Sequence, residues 1–233
     1  MNEQHIRTAM LLGEDALDRL QQSHVAVFGI GGVGSYVAEA LARAGVGKLT
    51  LVDDDVVSPS NLNRQLVALH STVGMHKTEV MAARIADIHP ECTVRTLPMR
   101  YTPDTREQFF TETYDFVADA IDSVACKTDL IVTALERHIP IISSMGTGNK
   151  LDPSQFVITD LSKTSGCPLA RVMRRELKQR GILHHTVLYS TEPPVKPLFQ
   201  PVEGVSVPGS VAWVPSCAGL MIAGYIIRKL LEK

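Results

Sequence analysis

Short β-branched runs alternate with longer stretches of helical periodicity along most of the chain. VAVFG at 25–29 is continuously apolar, as a strand covered on both faces is. SYVAEALARAG at 35–45 then reads as a helix that stops at Gly45, and KLTLVD at 48–53 as the next strand. Over 77–88, Val80, Met81, Arg84, Ile85 and Ile88 recur at helical spacing, and His89-Pro90 ends the run. TVRTLPM at 93–99 predicts a strand, and a short helix follows near 105–111. YDFVADAID at 114–122 is a second buried strand, 123–138 a helix, and PIISSMG at 140–146 a strand. Alternation at this spacing implies right-handed crossovers and a parallel sheet.

Beyond 150 the pattern is less regular. FVITDLSKT at 156–164 predicts a strand and loop, and Pro168 opens a helix through Gln179 with Gly181 just past it. TVLYS at 186–190 is a strand, 191–209 with five prolines a loop, and Ala218–Leu231 the last helix. The expected fold class is α/β: a Rossmann-like, mostly parallel sheet with helices on both faces, extended by a C-terminal mixed α/β part. No linker divides the chain, so one domain is expected over 1–233, with a nucleotide-binding core at about 20–150 and a C-terminal part at about 151–233.

Composition narrows the class. The 233 residues are 45% hydrophobic and 21% charged with a net charge of −2, which excludes a disordered chain and a strongly basic coat for nucleic acid. The four cysteines, at 92, 126, 167 and 217, form no Cys-x-x-Cys pair, which argues against a zinc site and for reduced thiols in a cytoplasmic protein. The N-terminal residues are charged throughout, so no secretory leader is expected. From Gly204 to Ile227 there is no charge, but Pro208 and Pro215 interrupt the stretch. The apolar run after Pro215 falls short of the roughly 20 residues a spanning helix needs, so a buried or interface helix is expected rather than membrane insertion.

The chemistry begins at GIGGVG, Gly29 to Gly34, between a strand and a helix. Gly29 permits the tight turn, Gly31 (with Gly32 beside it) lets a phosphate approach the backbone, and Gly34 allows close helix–strand packing. The helix N-terminus then faces an anion with free N–H groups. Asp53 ends the next strand, where a carboxylate accepts hydrogen bonds from ribose hydroxyls. The motif alone does not separate NAD from ATP. The following DDDVVSPSNLNRQ does: Asn61, Asn63, Arg64 and Gln65 supply the cationic and amide donors that a triphosphate needs and a dehydrogenase does not, and Asp55 of the same segment is counted with the nucleotide-binding residues. Lys77, at the start of the next helix, supplies a further point charge. Asp122, in DAIDS at a strand's C-terminal end, is a hard oxygen donor suited to Mg2+.

GIGGVG, the acid-ended LVD, SNLNRQ, VGxxKxEV and DAIDS, in this order, resemble the ubiquitin-activating-like adenylating enzymes over roughly residues 5 to 150. That resemblance implies binding of ATP with Mg2+ and attack of a substrate carboxylate on the α-phosphate. It assigns Asp53 to the ribose, Asn61, Arg64 and Lys77 to the phosphates, and Asp122 to the metal. Arg64, Lys77 and Asp122 are thereby the expected catalytic residues. Arg7, in IRTAMLLG, falls where family members have an arginine that reaches the partner subunit's ATP, which implies a homodimer.

The remaining chain is similar to one branch of that family, the dehydratases of threonylcarbamoyladenosine in tRNA. The similar segments are TDLSKTSGCPLARVMRRELKQRGI, YSTEPP and GSVAWVPSCAGLMIAGYII. The resemblance implies a tRNA substrate bearing that modified adenosine beside the anticodon, and it admits sulfur-transfer partners. A related reading, activation of the C-terminal carboxylate of a small sulfur-carrier protein, uses the same first 150 residues. An NAD-dependent oxidoreductase is opposed by Arg64, Lys77 and Asp122. After Pro168, Arg171, Arg174, Arg175 and Lys178 share one helix face, with Lys163 nearby, and can contact tRNA phosphates or form an ordinary solvated surface. Cys167 at that helix start is expected to be a packing residue rather than a thioester-forming one, and His184-His185 to be a surface pair.

Overall fold

The computed structural model describes residues 3–201 and 207–232. Seven strands form one sheet in the order β3-β2-β1-β4-β5-β7-β6: β1 His24–Phe28, β2 Lys48–Val52, β3 Thr93–Leu97, β4 Phe116–Asp119, β5 Ile141–Ser144, β6 Phe156–Asp160 and β7 Thr186–Ser190. Every pairing is parallel except β6 with β7. The sheet is therefore mostly parallel, and the C-terminal strands extend the same sheet.

The helices are α1 Ile6–Leu12, α2 Glu14–Gln22, α3 Gly34–Arg43, α4 Lys77–Ile88, α5 Val124–Glu136, α6 Pro168–Lys178 and α7 Trp213–Leu231. Alternate residues of β1 feed two hydrophobic cores. Val25 and Val27 pack in one with α3, α4 and α7; Ala26 and Phe28 pack in the other with α5, α6 and the aromatic group Tyr101, Phe109 and Phe110. Full burial of both faces explains why β1 is continuously apolar from Val25 to Phe28. On one face α3 and α7 cross at backbone distance: a Cβ on Gly219 would lie 2.4 Å from the Val33 carbonyl oxygen.

Three elements differ from the pattern. Helices α1 and α2 were not marked by hydrophobic spacing, because α2 buries only Ala16 and Leu20 and α1 buries none of its residues. The helix expected near 105–111 is a single 3-10 turn, Arg106–Gln108. Helix α7 begins at Trp213, five residues before the expected Ala218. Pro215 is its third residue, where an N–H has no intrahelical acceptor and its loss costs nothing. Of the loop expected over 191–209, residues 202–206 lie outside the described residues.

Candidate active site

The chain runs from β1 outward to β2 and β3, then returns to β4 on the other side of β1. At such a reversal the loops leaving the C-terminal ends of adjacent strands splay apart and open a crevice. Here it is a cavity of about 630 Å³, walled by the loops after β1, β2, β4 and β5.

The glycine turn shapes its floor. Gly29 has φ +87°, and a Cβ on it would lie 2.7 Å from the Ala120 carbonyl oxygen, so β1 can turn at this point only with glycine. At Gly34 the Cβ position is 1.7 Å from the Gly29 carbonyl oxygen, which lets α3 start against the strand. Gly34 accordingly packs and does not line the cavity, whereas Gly29, Gly31 and Gly32 do. The Cβ position of Gly31 meets nothing nearer than Gln65 Nε2 at 3.6 Å. That space is what a phosphate needs to reach the backbone.

Asp53 accepts hydrogen bonds from the N–H of Ile30 at 2.6 Å and of Asp55 at 2.9 Å, fixing the acid against the glycine turn. Burial raises its carboxyl above the ordinary carboxylate range, opposed by Lys77, whose ammonium lies 3.9 Å away, and by the two N–H groups. Lys77 is itself buried and paired with Asp55 at 2.6 Å. Arg64 Nη1 donates to the Ser60 carbonyl at 3.0 Å and to Asn63 Oδ1 at 2.9 Å. Asn61 Oδ1 accepts from the Ser58 N–H, leaving its amide N–H2 free to donate. Gln65 Oε1 is buried without a partner. Asp53, Asp55, Asn61, Arg64, Gln65 and Lys77 all line the cavity, as does the exposed Asp122, whose carboxylate has no partner among the described residues.

Behind Asp122, Asp119 closes β4 and accepts the Ile121 N–H at 3.0 Å. Its other oxygen is 2.8 Å from the Lys127 ammonium, and neither side chain has any exposure. This pair was not anticipated, since the sequence marked Asp122 alone. His185, expected on the surface, is buried and bonded to Ser143 Oγ at 2.8 Å. It sits inside because β7 inserts between β5 and β6 and brings its first residues against β5. Burial, with the Lys127 cation adding, pushes its imidazole down to about 3.

Residues that sequence reasoning missed complete the walls: Tyr101 after β3, Met145 to Gly148 after β5, and Pro208 to Ser210. The β5 group was findable, because it follows the C-terminal end of a strand next to the switch point. Three expected residues stand apart. Arg7 lies exposed on α1 and does not line this chain's cavity. On α6, Arg174 is turned onto Thr164, and Arg175 is paired with Glu176 at 3.0 Å. Cys167 is buried, and its sulfur accepts the Ala170 N–H at 3.5 Å as the cap of α6.

The chain is similar to known proteins over nearly its full length. The tRNA threonylcarbamoyladenosine dehydratase of Bacillus subtilis (strain 168) is 46% identical over 244 residues, covering all of this chain and 96% of that protein. Crystal structures of the E. coli tRNA N6-threonylcarbamoyladenosine dehydratase, TcdA, share 40% of residues and cover 97% of this chain and 93% of that one. The one in complex with AMP matches at a TM-score of 0.90, the one in complex with ATP at 0.89. The model of the ThiF family matches residues 3–233, and the chain belongs to that family.

Proposed function

We propose that this chain is an ATP-dependent dehydratase of threonylcarbamoyladenosine in tRNA. One observation carries the reading: a cavity at the β1/β4 switch point in which the open glycine turn, Asp53, Arg64, Lys77 and Asp122 face one space. The full-length likeness to dehydratases from two bacteria supports the substrate.

Asp53 holds the ribose through its remaining lone pairs. The Gly31–Gly32 turn, the free amide of Asn61, Gln65 and Arg64 receive the phosphates, Arg64 by a planar fork that matches phosphate oxygens. Lys77 adds a point charge from within its pair with Asp55. The donor set at Asp122 fits Mg2+: an unpaired carboxylate at the cavity mouth offers hard oxygen. The ion neutralises charge on the phosphates when bound there.

The threonyl carboxylate is a poor electrophile because hydroxide is a poor leaving group. Its oxygen attacks the α-phosphorus, pyrophosphate leaves, and the carbonyl is now part of a mixed anhydride. The neighbouring urea nitrogen attacks that carbonyl, closes a five-membered ring and expels AMP, and its proton passes to solvent. The nucleophile is already tethered, so the protein's contribution is orientation and charge neutralisation.

The same reading makes Arg7 a partner-facing residue of a homodimer. Met10 and Leu11 on α1 are 78% and 88% exposed, an apolar surface that a second copy can cover. The site of action is the cytoplasm, where tRNA is found. Helix α7 is long and apolar enough to cross a membrane, but it packs along α3 and buries eight of its residues, as a core helix does. The test is nucleoside mass spectrometry of tRNA incubated with the protein and ATP-Mg2+. The threonyl-bearing adenosine loses the mass of one water if the reading holds and is unchanged if it does not.

A further inference from the structure

Asn149 has φ +59°, in the left-handed region that glycine adopts freely and asparagine more readily than most other residues. In that pose it takes both main-chain polar groups of one distant residue. Its main-chain N–H donates to the Gly209 carbonyl at 2.8 Å, and its Oδ1 accepts the Gly209 N–H at 2.6 Å. Its own carbonyl accepts from the Val195 N–H at 2.8 Å. Beside it, a Cβ on Gly148 would lie 2.8 Å from the Pro208 Cβ, so the two segments touch along the backbone. The next residue of the strap is held from the opposite wall: Asn63 Nδ2 donates to the Ser210 carbonyl at 3.0 Å, and Asn63 Oδ1 accepts from Arg64 Nη1 at 2.9 Å. Pro208, Gly209 and Ser210 line the nucleotide cavity together with Arg64 and Gly148. The tripeptide therefore bridges the loop after β5 and the loop after β2, pinned by Asn149 at Gly209 and by Asn63 at Ser210.

We propose that Asn149 is a positioning residue of the ATP site, fixing the Pro208–Ser210 strap against which Asn63 orients the Arg64 guanidinium. The proposal rests on the ATP reading above. Three links carry it: Asn149 to Gly209, Ser210 to Asn63, and Asn63 to Arg64. When the first is loosened, the Ser210 carbonyl no longer has a fixed place, Asn63 loses the partner that sets its amide plane, and Arg64 loses a fixed acceptor. A guanidinium already oriented by the fold gives up less freedom when it meets phosphate.

The test uses the full-length protein and four variants. Asn149→Gly keeps the left-handed backbone and deletes the Oδ1 acceptor; Asn149→Asp keeps an acceptor there. Asn63→Ala cuts the other pin, and the fourth variant combines it with Asn149→Gly. ATP-Mg2+ affinity is read by calorimetry, KM and kcat by turnover, and the unfolding midpoint without nucleotide. Asn149→Gly is expected to weaken ATP binding by about tenfold, appearing in KM more than in kcat, with an unfolding midpoint close to wild type. Asn149→Asp restores affinity to within about twofold. The double variant binds ATP no more weakly than the weaker single, because both changes release one strap. If Asn149→Gly binds ATP as wild type does, or if the two single effects multiply, the proposal is overturned while the ATP reading stands. If wild-type protein itself fails to bind ATP, the ATP reading is overturned and this proposal with it.

Discussion

The Asp119 carboxylate and the Lys127 ammonium lie 2.8 Å apart with no exposure of either side chain, at the foot of the turn that carries Asp122. Removing one partner of such a pair strands a charge in the interior. Lys127→Met is therefore expected to cost about 3–5 kcal/mol, and pairing it with Asp119→Asn to recover much of that loss, because no ion then remains unpaired. Urea unfolding of both variants checks this; equal losses in the single and double variants would contradict it.

Two glycines of one motif are expected to fail in different ways. Gly34→Ala places a methyl 1.7 Å from the Gly29 carbonyl oxygen and should prevent α3 from seating, so little folded protein is recovered. Gly31→Ala meets only the movable end of Gln65 at 3.6 Å, so the protein should fold and lose ATP affinity. Circular dichroism and nucleotide binding on the two variants separate the roles.

Asp122 has no partner among the described residues, and Arg64 bonds only to its own loop, so neither holds the core together. Asp122→Ala and Arg64→Ala should keep the wild-type unfolding midpoint while kcat/KM falls on the order of a hundredfold or more. Arg64→Lys should recover only part, because an ammonium lacks the two-pronged donor geometry. Steady-state turnover with ATP varied measures all three.

His185 links pH to stability. Its imidazole is held down to about 3 by burial and by Lys127, against an ordinary value of 6.5. Between those values the unfolded chain takes up a proton that the folded chain refuses. Stability is thus fully present above pH 6.5 and is lost progressively as the pH falls toward 3. His185→Gln should flatten that slope in denaturant titrations. His24 and His89 are also held below their ordinary value by burial, so some slope should remain.

On α6 the engaged and free cations differ. Arg174 is held by Thr164 and Arg175 by Glu176, whereas Arg171 and Lys178 form no ion pair among the described residues. If this face meets tRNA, Arg171→Glu with Lys178→Glu should lower the salt slope of tRNA binding by about two, one per lost phosphate contact. The Arg174→Glu change should mainly loosen the start of α6. A salt slope unchanged in the Arg171/Lys178 variant would remove α6 from the tRNA surface.

Much of this was legible in the chain because parallel strands buried on both faces are apolar at successive positions, as at 25–28, and because the glycine turn follows one directly. Other parts were hidden for identifiable reasons. The burial of His185 depends on β7 inserting beside β5, a long-range pairing that no local pattern encodes. The early start of α7 was masked because proline reads as a break, although it is tolerated in a first turn. The strap at Pro208–Ser210 belongs to a segment with no periodicity, and it is held at the cavity by long-range hydrogen bonds to Asn149 and Asn63 and by Pro208 packed on Gly148. Asp119 and Asp122 are three residues apart with the same side chain, so their division into a buried ion-pair partner and an exposed cavity ligand appears only in three dimensions.

Oxygen tracing tests whether ATP held in this cavity turns a substrate carboxylate into an activated acyl group. The most direct measurement places heavy oxygen in the threonyl carboxylate of the tRNA and follows it through a single turnover with ATP-Mg2+. One heavy oxygen is expected in the AMP released and one in the ring carbonyl. Heavy oxygen appearing only in water, with none on any phosphorus, would contradict it.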